Sequence, residues 1–226
     1  MDYSKLICKY DDSQLEEHYQ QFLTMVGEEV SGERGERLVE MYSTDLYHSK
    51  LLHAPASSIG YFHNAFIGGY VLHINNVVNA SKGVMKLYEH IGGMIDFTEE
   101  ELIFAAIHHD LGKLGDETGD FYLINDSDWH IKNQQAFFKT NGDLQYMDTA
   151  DRTMLMLNNE GIKMNWKEML GIRLADGMYD DNTHSYLKGF SKDKKLKTNL
   201  PYILHTADFL ASKKEFDDYK KEVGEI

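Results

Sequence analysis

The chain has 226 residues, enough for one generous domain with a substantial core. Its formal net charge of −14 repels polyphosphate backbones over the whole surface, so broad non-specific nucleic-acid binding is not expected, and a phosphate-bearing substrate needs a local cationic site. A lone cysteine, Cys8, excludes an internal disulfide framework and a cysteine-based zinc site; with no signal-peptide pattern after Met1-Asp2-Tyr3-Ser4-Lys5 and no apolar run of roughly eighteen residues, a soluble cytoplasmic protein without a membrane partner is expected.

Proline is scarce and long stretches are rich in Leu, Met, Glu and Lys, which points to an all-α class. From about Asp11 to Val30, Leu15, Tyr19, Phe22, Leu23 and Val26 recur at helical spacing, predicting an amphipathic helix. A Gly- and charge-rich break, Gly27 to Gly35, precedes a second helix that turns Leu38, Val39, Tyr42 and Leu46 inward. Residues 1–49 therefore read as a helical N-terminal extension packed on the core, with no residue that carries chemistry.

The segment from Leu51 to Gly69 is punctuated by Pro55, Ser57-Ser58, Gly60 and Gly68-Gly69. A loop this long in a compact domain is usually functional or disordered, and its aromatics argue against disorder. His63 in it either contacts a ligand phosphate or caps a turn. The next helix runs from Phe66 to about His90, and His73 falls between Tyr70 and Val77 on its apolar side.

Thr98-Glu99-Glu100-Glu101 forms a capping box that opens a short helix of about three turns. This helix is apolar through Leu102-Ile103-Phe104-Ala105-Ala106-Ile107, then arrives at His108-His109-Asp110 and is stopped by Gly112. A carboxylate beside an imidazole at the end of a buried helix is costly to desolvate unless a cation is present, and a divalent metal is the simplest one. His109 and Asp110 diverge by about 100° around the axis, so they straddle an ion rather than share a face. Lys113, four residues after His109, is placed to reach an anion bound there.

Beyond it, Asp116, Glu117 and Asp120 read as solvated loop acids, and residues 121–125 as a short extended piece or hairpin. Asp126 or Ser127 caps a helix carrying His130 in its first turn, where it is either a surface residue on Trp129 or a ligand. Two further helices follow, near Asp148 to Asn159 with Met154, Leu155 and Leu157 inward, and near Asn165 to Ala175. The second ends at Gly177, leaving Asp176 against the negative end of a helix dipole, a placement that favours a compensating cation. Ser191 to Lys197 is a basic run read as a solvated face. Asn199-Leu200-Pro201 opens the last helix, which carries Asp208, and residues 213–226 read as a charged, fraying tail.

His73, then His109-Asp110, then Asp208, on three helices, matches the ligand order of the HD-domain metal-dependent phosphohydrolase superfamily, which the sequence resembles over about residues 50–212. The Pro55-Ala56-Ser57 start, His63 and the Gly68-Gly69 pair before His73 are also similar to the branch containing 3′→5′ exoribonucleases. The resemblance implies an HD-type helical bundle and one divalent ion (Mn, Mg, Fe, Co, Ni or Zn) held by His73, His109, Asp110 and Asp208. His130 matches the first of the further histidines seen in two-metal members, but Ala175-Asp176 stands where a His-His pair would follow. A second ion on His130 and Asp176, bridged by Asp110, is therefore an open expectation.

The expected activity is hydrolysis of a phosphate ester of a small phosphorylated substrate, a nucleotide foremost. Lys113 and His63 would bind phosphoryl oxygens, and His130 or Asp176 would assist proton transfer. Extended nucleic acid ranks lower, because the surface charge is wrong for it and no separate nucleic-acid-binding domain accompanies the motif. The alternatives are a 3′→5′ exonuclease or cyclic-nucleotide phosphodiesterase using the same site, and a module that binds metal and nucleotide without turnover.

Overall fold

A computed structural model describes residues 3–189 and 191–225; Met1, Asp2 and Ile226, at the ends of the predicted extension and tail, lie outside the described residues. The fold is a helical bundle with one two-stranded ribbon. In chain order the helices are α1 (Ser4–Ile7), α2 (Asp12–Glu29), α3 (Gly32–Tyr42), α4 (Asp45–His53), α5 (Gly69–His90), α6 (Glu99–His108), α7 (Asp128–Gln134), α8 (Thr149–Asn159), α9 (Trp166–Arg173), α10 (His184–Leu187) and α11 (Leu200–Val223). Strand β1 (Tyr122–Ile124) pairs antiparallel with β2 (Phe138–Thr140), Tyr122 opposite Thr140 and Ile124 opposite Phe138. The extended piece expected at 121–125 thus finds its partner beyond α7. Among the described residues no helix is long and apolar enough to cross a membrane.

Helix α6 is the axis of the bundle. Leu102 through Ile107 are fully buried on every side, as an unbroken apolar run demands. Its start is set by the predicted capping box, in which Thr98 Oγ1 accepts from Glu101 N–H and the Glu101 carboxylate accepts from Thr98 N–H. Helices α5, α9, α11 and α2 pack around it. Phe22, Val26, Leu38 and Tyr42 from the N-terminal helices join the same core as Ile74, Ile107 and Leu204. The helices α2 to α4 thus pack into the main core, while Ile7 of α1, with Tyr3 and Leu6, joins a smaller cluster around Phe137 and Phe138.

Several local expectations change. The break between the first two helices is only Val30-Ser31, because α2 continues to Glu29 and α3 begins at Gly32, whose φ is +64°. The chain breaks again at Ser43-Thr44, so Leu46 sits on a separate α4 and faces solvent. In α8 Met156 and Leu157 are buried whereas Leu155 is exposed. Asp116 and Asp120 are not free acids: Asp116 accepts from the buried Arg152 at 2.7 Å and Asp120 from the buried Lys50 at 2.8 Å.

The largest correction is at the C-terminus. Residues 213–223 do not fray but continue α11, because Glu215 and Tyr219 are buried, Glu215 against His73 and Tyr219 with its hydroxyl on Gln135.

Immediately after α6 the chain tightens into a 3-10 turn, Leu111–Leu114, laid against the start of α8. Gly112 N–H donates to Thr153 Oγ1 at 2.8 Å, and a Cβ at position 112 would lie 2.3 Å from the Thr149 carbonyl oxygen. Gly112→Ala is therefore expected to destabilise by about 1–3 kcal/mol through overpacking. Thermal melts should show a midpoint roughly 2–10 °C lower; an unchanged midpoint would mean that the turn and α8 are not in this contact.

Candidate metal centre

Helix α5 presents His73, the C-terminal end of α6 presents His109 and Asp110, and α11 presents Asp208. The Nε2 atom of His73 lies 3.7 Å from Asp110 Oδ2 and 3.3 Å from Asp208 Oδ1; that of His109 lies 3.5 Å and 3.8 Å from the same two oxygens. Two ligands about 2.1 Å from one ion are roughly 3.0–3.4 Å apart at ordinary coordination angles. The observed spacings make a slightly open cradle of that size.

Both imidazoles are already committed through the other ring nitrogen. His109 Nδ1 donates to the Ala106 carbonyl at 2.8 Å, and His73 Nδ1 to the Glu215 carboxylate at 3.0 Å. Each Nε2 is buried without a hydrogen-bond partner. Each faces carboxylate oxygens of Asp110 and Asp208, an arrangement that a proton or a metal ion between nitrogen and oxygen satisfies. Histidines that bind metals characteristically donate their other N–H to a carboxylate or carbonyl, as both do here. These residues fit a divalent ion. The negative end of the α6 dipole at His109-Asp110 adds to the attraction.

Asp110, Asp208, Glu215 and, at the solvent edge, Asp176 outnumber the one ammonium beside them, Lys113, so the site is anionic and attracts a cation. Burial works against the Asp110 carboxylate, but Lys113, His109 and His73 outweigh it and hold its pKa below the ordinary value. Asp208 is lowered in the same way, chiefly by His73 and His109 against burial. Lys113 Nζ donates to Asp110 Oδ2 at 2.6 Å and to the Ala56 carbonyl at 3.1 Å; burial opposes its charge, yet Asp110 raises its pKa well above normal.

His63 completes one side. Its ring centroid is 4.8 Å from that of His73, its Nε2 is buried and unpartnered, and it can form a ligand group with His73 and Asp110. Burial, followed by the neighbouring His73 and Lys113, pushes its pKa down to about 3, so it is a neutral imidazole. His108 points away, buried on Phe104 and Tyr42 with Nδ1 on the Phe104 carbonyl.

The groups of residues able to hold an ion, among those described, include neither His130 nor Asp176. His130 is exposed on α7, a short helix without buried residues, its Nδ1 bonded to Ser127 Oγ at 2.7 Å and its ring edge-on to Trp129. Asp176 stays open to solvent on one side but faces the site on the other. Burial of that side and repulsion from Asp110 and Asp208 raise its pKa, against Lys113 and His109. Its position is set by His205, whose Nδ1 donates to the Ala175 carbonyl at 2.8 Å and whose ring lies where a Cβ on Gly177 (φ +58°) would sit.

Two residues escape the sequence pattern. Glu215, seven residues and two turns after Asp208, orients His73 and is itself held by Asn76 Nδ2 at 2.7 Å. Tyr122 on β1 is half-buried beside Lys113; burial raises its pKa while Lys113 pulls the other way. A helical reading of residues 213–223 would have placed Glu215 on the Asp208 face; no sequence signal places Tyr122. No protein-family model, curated protein or solved structure matches the chain.

Two measurements test this centre. In the metal-free protein, burial opposes protonation of His73, but Glu215 and Asp208 prevail and raise its pKa to about 10. The proton is therefore present at pH 7–8, must leave when an ion takes Nε2, and competes less as pH rises toward that value. Calorimetric titration at pH 7.5 in buffers of different ionisation heat should show about one proton released per ion, and buffer-independent heats would contradict it. Glu215→Gln keeps an acceptor for His73 but removes the charge, so affinity by chelator competition should fall about 10–100-fold with the fold intact. Unchanged affinity would reduce Glu215 to a packing residue.

Proposed function

We propose that the protein is a metal-dependent phosphohydrolase of the HD type that cleaves a phosphate ester of a small phosphorylated substrate, nucleotides foremost. The observation that carries this reading is the meeting of His73, His109, Asp110 and Asp208 at one buried point, each imidazole turning an unpartnered Nε2 toward the carboxylates. It is the donor set that the resemblance assigns to the HD superfamily.

A divalent ion bound there lowers the pKa of water in contact with it and polarises a phosphoryl oxygen. The rest of the chemistry falls to the chain. Lys113, permanently charged and next to Asp110, binds a phosphoryl oxygen and neutralises charge that builds as the ester bond breaks. His63, neutral with a free Nε2, gives a second polar contact to the phosphoryl group. Asp176, at the solvent edge with a raised pKa, is suited to hand a proton to the departing alkoxide. Exposed His130 takes no part. The formal charge of −14 favours small substrates over a polymer, which would meet repulsion across the rest of the surface.

The test is phosphate release from nucleoside mono-, di- and triphosphates, a cyclic nucleotide and single-stranded RNA and DNA, each with Mg, Mn, Fe, Co, Ni and Zn. Nucleotide turnover with little polymer degradation is expected. Lys113→Ala should lower kcat by about 100-fold or more while the bound ion is retained. Full activity in that variant would remove Lys113 from the mechanism. Degradation of polymer without nucleotide turnover would replace the proposal by the exonuclease reading, and nucleotide binding without product from any metal by the non-catalytic one.

A further inference from the structure

Lys113 and Tyr122 face two places at once. Both lie beside Asp110, and both line a separate cavity of about 260 Å³ between α4, Ala54-Pro55 and the β1–β2 ribbon. The phosphate-binding cation therefore stands at the boundary between the metal centre and a partly open cavity that metal coordination does not use.

The chemistry of this space is one-sided. Phe121, Tyr122 and Phe138 contribute aromatic rings, and Pro55 and Ile67 add aliphatic surface. Lys50 reaches the wall but has no donor to spare: its three N–H groups go to the carbonyls of Leu114 and Gly119 and to Asp120 Oδ1. Asp120 is neutralised by the same contact. Free hydrogen-bonding groups occur at Ser49 and His53, both exposed; His53 Nδ1 donates to the Ser49 carbonyl, which leaves Nε2 for a ligand. A flat uncharged ring with heteroatoms on its edge suits such a lining better than an alkyl chain, which would leave Ser49 and His53 unused, or a charged group, since both lysines that reach the space, Lys50 and Lys113, are already paired with carboxylates.

We propose that this cavity receives the base of a nucleotide whose phosphate lies at Lys113 and the metal centre. The proposal rests on the phosphohydrolase reading for the phosphate end only; the base end stands on the cavity. Its volume is just under the roughly 300 Å³ at which pockets for drug-sized ligands begin, room for one nucleoside and not for consecutive residues of a polymer. Stacking on Tyr122 and Phe121 would be tolerant of base identity, because every base has a π-face.

The experiment uses adenosine and uridine, which lack phosphate, titrated into the metal-free protein by calorimetry. Saturable binding of at least one is expected. Ala54→Phe, which fills the cavity, and Tyr122→Ala, which removes a ring from its wall, should each weaken it by about tenfold, and Tyr122→Phe should restore it. Intermolecular NOEs from base protons to the rings of Phe121, Tyr122 and Phe138 in the unsubstituted protein read the same contact without any variant. Failure of both nucleosides to bind, binding untouched in folded Ala54→Phe and Tyr122→Ala, or the absence of those NOEs at saturation would overturn the proposal. Nucleosides that bind in a protein releasing no phosphate from any ester would sink the hydrolase reading and leave the base pocket standing. Phosphate release without nucleoside binding would do the reverse.

Discussion

Two imidazole nitrogens each lie within 4 Å of an oxygen of both Asp110 and Asp208 in the interior, and neither nitrogen makes a hydrogen bond of normal geometry. A packed core tolerates such a group only if something answers it, since unsatisfied polar atoms and uncompensated charges are among the most expensive things to bury. The architecture keeps this cluster together. The apolar run Leu102–Ile107 of α6 fixes the depth at which His109 and Asp110 emerge, and the 3-10 turn after it brings Lys113 back onto Asp110. The long α5 and α11 lie side by side, so a ligand from each meets the end of α6.

The second layer explains why the cluster is rigid. Glu215 and Asp208 stand two turns apart on one helix, the first orienting His73 from behind and the second facing its free nitrogen. Asn76, one turn from His73 on α5, holds Glu215 in turn. A rotation of either long helix would break both contacts together. His205 docks the segment carrying Asp176 one turn before Asp208, so the solvent edge of the site is tied to the same helix.

Where local chemistry decides, the structure was legible in the sequence. The Thr98–Glu101 box needs only residues three apart, and an unbroken apolar run such as Leu102–Ile107 can only be buried on all sides. The likeness of His73, His109-Asp110 and Asp208 to a known ligand order brought together residues that periodicity alone leaves on separate helices. What escaped depends on neighbours far along the chain. The residues after Lys213 are mostly charged, and the burial of Glu215 and Tyr219 among them follows from where α5 and Gln135 lie, not from their own pattern. His130 has the right spacing for a ligand but rides on a surface helix, and spacing does not encode depth. Periodicity points Leu46 and Leu155 inward, yet their short helices present other faces to the core.

The central claim is that one divalent ion sits among His73, His109, Asp110 and Asp208. X-ray absorption spectroscopy on the protein loaded with a single equivalent of Co²⁺ reads its ligands directly. Two imidazole scattering paths with oxygen ligands completing the shell are predicted, and a shell of oxygen alone, with no imidazole signature, would contradict the account.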